Sequence, residues 1–350
     1  MKHMRRCSAA NWRGASLFFD MEPLRLGFIG AGVMAQFSIF PSLYFAPIQL
    51  QAVCDLDEER VRQVAGKFGT NRWYTDYHQM WAEEDLEAVI IHMHPTPRQA
   101  IVRDALEAGY HVFIPKPPAN TLAETQELAD LAAQVGKSVM VNFQRRFSFG
   151  VRQAREIMGR TDFGRLTQLS CSFCSGLYGG ARGRDYEDQI HALLLDFMPH
   201  HLDLARYIGG EIGRLSLFHN IVGNGVAVAL AVEYESGAVG TMQFNSQRIW
   251  WRNYDRLEIT GQGQYVVVDG LWGVKHYTEA GNFFTENYSD QRSIELTGDA
   301  YALMEFVEAI RENREPVASI QDAVGTMRLY QAIYDAVRGD RHGLLPLDTY

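Results

Sequence analysis

The chain has 350 residues, long enough for two domains, and its 47% hydrophobic, 12% aromatic and 21% charged residues are the proportions of a water-soluble globular protein. A net charge of −9 and a pI near 5.7 argue against a nucleic-acid or anionic-membrane partner. No apolar run reaches the roughly 18 residues needed to span a bilayer, and four cysteines in so long a chain do not make a disulfide framework.

The first twenty residues, MKHMRRCSAANWRGASLFFD, are basic and lack a sustained apolar stretch. Arg5-Arg6 raises the question of a twin-arginine export signal, but the apolar region such a signal needs is missing. Residues 1–22 therefore read as a disordered extension, or as the result of a start upstream of Met21, and the cytoplasm is the expected compartment. From Leu24 the pattern sharpens. LRLGFIGAGVMAQF runs an apolar strand into glycines and then a helix-compatible segment. Gly30, Gly32 and Ala35 fit G-x-G-x-x-G/A, in which the glycines allow a tight turn and close approach to a pyrophosphate. Val33 and Met34 belong to the same loop. A second strand, IQLQAVCD, ends on Asp55, about where a dinucleotide-binding fold places its ribose-binding carboxylate.

Further units follow in order: a strand in LEAVIIHMH, a helix over 98–108 ended by Gly109, and the strand YHVFI. Thr121-x-x-Glu124 is a capping box that opens a helix through Gln134, and Gly136 closes it before the strand KSVMVNF. Alternating strands and helices predict a doubly wound parallel sheet over residues 23–143. In FIPKPPAN, three prolines hold Lys116 in a stiff, non-helical segment just past a central strand, where such sheets bind ligands. His92 and His94 share a face if the strand runs through them, but no third ligand is identifiable. They are expected to line the nicotinamide pocket, with Pro95, or simply to cap a strand end, and no metal site is expected.

After QRRF, short alternating runs predict an open, mostly antiparallel sheet within residues 144–350. In GVAVALAVEY, Val226, Val228, Leu230, Val232 and Tyr234 share one face and the small alanines the other. Cys171 and Cys174, spaced like CxxC, fall on opposite faces of a strand, which argues against a redox or zinc role. Two later helices are expected around Tyr301–Arg311 and Ser319–Val337. In LLLDFMPHHLDLARYIGGE, Asp196, His200 and Asp203 share one helix face, with His201 turned elsewhere. A purely structural alternative makes Asp196 a helix cap with Pro199 in the first turn.

Together GFIGAGVMA, YTDYHQM, ALEAGYHVFIPKPPA, NFQRRF, DFMPHHLDLARYIGGE and VASIQDA give the chain a close resemblance to the glucose–fructose oxidoreductase / inositol dehydrogenase (Gfo/Idh/MocA) family, from Leu24 to about Arg338. The resemblance implies a Rossmann domain followed by an open-sheet domain, a homodimer or homotetramer built through that sheet, and NAD(P)-dependent chemistry at a carbinol carbon of a sugar, sugar derivative or cyclic polyol. NAD is the expected cofactor, with NADP the alternative. The resemblance implies Lys116, Asp196 and His200 as catalytic residues. Two departures stand out: Pro115 where glutamate is usual, and Arg98 where histidine is usual. His200 is expected to take the hydroxyl proton, Lys116 to donate to the substrate oxygen, and Asp196 to anchor a second hydroxyl or orient the imidazole. Arg146, Trp250 and Trp251 are candidate substrate contacts, the tryptophans, with Tyr254, by stacking on a sugar ring or by building an oligomer contact. Two other functions fit the scaffold: an NAD-retaining enzyme that acts on a glycoside by transient oxidation, and a non-catalytic sensor or corepressor.

Overall fold

The computed structural model describes residues 21–174, 189–223, 225–247, 254–285 and 297–350. The first sheet has six parallel strands, β1 (Leu24–Ile29), β2 (Ile48–Cys54), β3 (Trp73–Tyr74), β4 (Ala88–Ile91), β5 (His111–Pro115) and β6 (Val139–Asn142), in the order β3-β2-β1-β4-β5-β6. The order reverses at β1/β4, and that switch opens a crevice at the carboxyl ends of the strands. All four residues of β4 are buried, as a strand covered on both faces requires.

Between these strands run a wide helical segment over Ala35–Ile39, then α1 (Phe40–Ser42), α2 (Glu58–Lys67), α3 (Tyr77–Glu83), α4 (Pro95–Glu107) and α5 (Leu122–Val135). α4 begins three residues before the expected start because Pro95, at its first position, has the φ a helix needs and no N–H to lose. α5 has the expected capping box, and Gly136 closes it in the left-handed region at φ 66°.

The second sheet contains β7 (Gln168–Cys174), β8 (Ile212–Val222), β9 (Gly225–Tyr234), β10 (Val239–Asn245), β11 (Tyr254–Thr260), β12 (Tyr265–Asp269), β13 (Gly273–Thr278), β14 (Gly281–Thr285) and β15 (Gly343–Leu345). Its order is β14-β13-β12-β11-β7-β10-β9-β8-β15, and β7–β10 is the parallel pair in an otherwise antiparallel array. One face is packed by α6 (Phe149–Met158), α7 (Gln189–Gly209) and the later part of α9 (Ile320–Arg338). On β9 the larger side chains turn into that core, while Ala229 and Ala231 are exposed on the other face. α8 (Asp299–Arg311) and the first turn of α9 return to the first sheet, where Leu303, Phe306 and Ile320 join its core.

Candidate active site

The glycine-rich loop leaves β1 under a tight steric constraint. Gly30 sits at φ +98°, and a Cβ there would lie 2.3 Å from the His92 carbonyl oxygen, so this crossing of β1 and the chain after β4 demands glycine. At Gly32 a Cβ would meet nothing within 4 Å, which leaves the backbone open towards the crevice. Ala35 is fully buried, whereas Val33 and Met34 are 80% and 52% exposed, apolar surface that a bound nucleotide would cover. Asp55 follows β2; its Oδ2 accepts from the Ala31 N–H at 2.7 Å and its Oδ1 from Arg60 at 3.1 Å. The loop, the exposed apolar pair and the carboxylate fit a nicotinamide dinucleotide.

β4 ends at Ile91, so His92 and His94 lie beyond the strand rather than on one of its faces. His94 is the residue that precedes Pro95 at the start of α4. Burial, then the charge of Arg98, lowers the His92 pKa to about 4. Arg98 is the finding that sequence reasoning undervalued. Its side chain is buried and donates to the Met93 carbonyl at 3.0 Å, to Pro118 at 3.1 Å and to Pro117. The residue noticed only as a departure thus ties the loop after β4 to the loop that carries Lys116.

β5 ends at Pro115, and Lys116 reaches across to α7. Its Nζ donates to Asp196 Oδ1 at 2.8 Å and also to the Asp196 carbonyl oxygen, which leaves one of three ammonium donors for a further partner. His200 lies one turn along the same helix. It is buried, and its Nδ1 has no hydrogen-bond partner among the described residues. The expectation that Asp196 orients the imidazole is therefore replaced by another arrangement: its carboxylate holds the lysine. Burial, then the charges of Lys116, Arg145 and His201, lowers the His200 pKa well below the ordinary histidine value, so the ring is neutral at pH 7.

α7 also corrects the capping alternative, since Asp196 and Pro199 lie well inside a helix that is already formed at Gln189. Asp203, on the same helix, belongs to a different group. Arg146 is buried and donates to Asp203 Oδ2 at 2.8 Å, to Asp203 Oδ1, to Asp322, and to the Val317 carbonyl at 2.7 Å. It is a cross-link between helices, not the substrate contact expected from the sequence. Its neighbour Arg145 instead pairs with Asp255 on β11, and the Asp255 carboxylate accepts from His201 Nε2 at 2.9 Å. This buried group lies one residue from His200 and was not foreseen, because its members are far apart in sequence. Trp250 and Trp251 lie outside the described residues; Tyr254 opens β11.

With this geometry in place, comparison with known proteins decides the assignment. Residues 24–143 match the family described as "Oxidoreductase family, NAD-binding Rossmann fold", and residues 151–267 match the "GFO/IDH/MocA C-terminal domain". The chain belongs to the Gfo/Idh/MocA family. It is similar to the myo-inositol 2-dehydrogenase of Thermotoga maritima, at 23% identity over 85% of this chain and 92% of that protein. It is also similar to the D-glucoside 3-dehydrogenase of Escherichia coli, at 31% identity over 54% of this chain and 55% of that one. Among solved structures, an oxidoreductase from Agrobacterium radiobacter in complex with NAD+, L-tartaric acid and magnesium superposes with a TM-score of 0.82, at 18% identity, over 94% of this chain and 99% of that one. This Gfo/Idh/MocA chain is thus an NAD-binding oxidoreductase with a Rossmann sheet and a second, mostly antiparallel sheet. Among the described residues no helix is long and apolar enough to cross a membrane.

Proposed function

We propose that the protein oxidises, or in reverse re-forms, a secondary hydroxyl of a sugar, sugar derivative or cyclic polyol, with NAD preferred to NADP, in the cytoplasm. The observation that carries this reading is the Lys116–Asp196–His200 cluster, which stands past the carboxyl end of β5 on the crevice side of the sheet. NAD would be held by Gly30, Gly32, Val33, Met34, Ala35, Asp55, His94, Pro95 and Lys116, and would supply the hydride acceptor. The chain's own residues manage the proton and the charge on oxygen. Neutral His200 takes the hydroxyl proton. The remaining N–H of Lys116 donates to the substrate oxygen and stabilises the negative charge that develops there. Asp196 fixes the direction of that ammonium through its carboxylate and carbonyl. Asp55 favours ribose hydroxyls over a 2′-phosphate by charge, although Arg60 beside it softens the discrimination.

The test is a screen of inositols, sugars and D-glucosides with NAD+ and NADP+, read by the absorbance of the reduced nicotinamide. At least one polyol or sugar should reduce NAD+ faster than NADP+. Reduction of neither cofactor by any member, with NADH still bound in titration, would leave a sensor instead of a dehydrogenase.

We also infer a homo-oligomer built on the face of the second sheet opposite its helices. Phe218, Val239 and Leu344 are 62%, 53% and 62% exposed there, around small alanines that allow close approach. Light scattering should return a multiple of 39.7 kDa, and a monomer mass at every concentration would refute it.

A further inference from the structure

At the far edge of the second sheet lies a side-chain group that the proposed reaction does not use. β8 pairs there with β15 through Gly343–Leu217, Leu344–Ser216 and Leu345–Leu215, and the turn Asp340–His342 leads into β15. His219 projects from β8 towards this turn. Its Nε2 lies 3.7 Å from Asp340 Oδ1, and His342 Nε2 lies 3.6 Å from the same oxygen. The three donor atoms all fall within 4.8 Å of one another.

Two features set this group apart from an ordinary surface cluster. The His219 side chain is only 4% exposed, and its Nε2 has no hydrogen-bond partner among the described residues. A buried polar atom without a partner is costly and calls for a ligand. The second feature is the nearness of the His342 ring, whose centroid lies 4.3 Å from that of His219; the rings stack 11° from parallel, so one of them must rotate for both in-plane lone pairs to face a shared ion. Two imidazole nitrogens with one carboxylate form a donor set suited to zinc. Donors about 2.1 Å from a shared tetrahedral ion sit about 3.4 Å apart, close to the 3.7 Å and 3.6 Å that separate the two imidazole nitrogens from Asp340.

We propose that His219, Asp340 and His342 form a surface site for a divalent transition ion of the zinc type, which pins the segment carrying β15 to the edge of β8. Because Asp340 and His342 are 89% and 41% exposed, the fourth position faces water. The pinning has a purpose in the fold, since β15 is a short edge strand held by the three residue pairs above.

The test is calorimetric titration of Zn2+ into the EDTA-treated, dialysed full chain, together with its thermal melting. One equivalent of Zn2+ should bind and raise the melting temperature. His219→Ala and His342→Ala should each lose that binding and that rise. The His342→Ala site is half-exposed, so this variant should melt at the wild-type temperature without metal and bind NADH normally, which separates ligand loss from misfolding. Absence of a one-equivalent Zn2+ event in the wild type would overturn the proposal. So would the same event in the His219→Ala/His342→Ala double variant, because the ion would then sit elsewhere.

Discussion

Lys116→Met should lower kcat by about 10²–10⁴-fold, the range for loss of one general acid–base or charge-stabilising group, while NADH affinity stays close to wild type. Methionine keeps an unbranched apolar stem of similar length and removes only the ammonium. Asp196, the partner left behind, is 45% exposed and can be solvated by water, so the fold should survive. His200→Ala should produce a loss of the same order, because the site then lacks its proton acceptor. The loss should fall on kcat more than on KM, since both groups act most strongly on charge that develops during the reaction. Steady-state kinetics on any substrate found by the screen reads both. Near-wild-type kcat in both variants would remove these residues from the mechanism.

Arg146→Met should strike stability instead. The substitution leaves Asp203, which is completely buried, without its guanidinium partner, beside the carboxylate of Asp322. Breaking a buried ion pair from one side costs about 3–5 kcal/mol. The melting temperature and the urea midpoint should both fall sharply, and Arg146→Met/Asp203→Leu should recover part of the loss by removing the stranded charge. A substrate-binding arginine would behave in the opposite way, with KM raised and the melting temperature unchanged. That outcome would restore the role expected of Arg146 from the sequence.

The contrast between these two residues shows where sequence reasoning reaches and where it stops. Local chemistry was readable: Thr121 and Glu124 form their capping box, Gly30 has the backbone that only glycine adopts freely, and β9 alternates as its side-chain sizes require. Lys116 could be placed because prolines and a strand end are local features. Arg145 and Arg146 could not be told apart in the same way. Each is defined by partners 57 to 176 residues away, Asp255 for one and Asp203 with Asp322 for the other. Arg98 failed to stand out for a related reason: it binds backbone carbonyls, which carry no side-chain identity in a sequence. The start of α4 lies at Pro95, three residues before the expected one, because a proline in the first turn favours a helix.

The most direct test of the account is the pH dependence of kcat/KM in the wild type and in His200→Ala. Burial first, and then Lys116, Arg145 and His201, hold the His200 pKa below 6.5. The free imidazole is therefore already able to accept a proton at neutral pH. Activity is thus fully present above the depressed pKa and is lost as pH falls through it. The wild-type profile should stay level as pH falls through 6.5 and bend only at more acid values, and the His200→Ala profile should be low and lack that bend. An acid limb centred at 6.5 or above in the wild type, or the same limb retained in His200→Ala, would contradict the assignment of His200 as the proton acceptor.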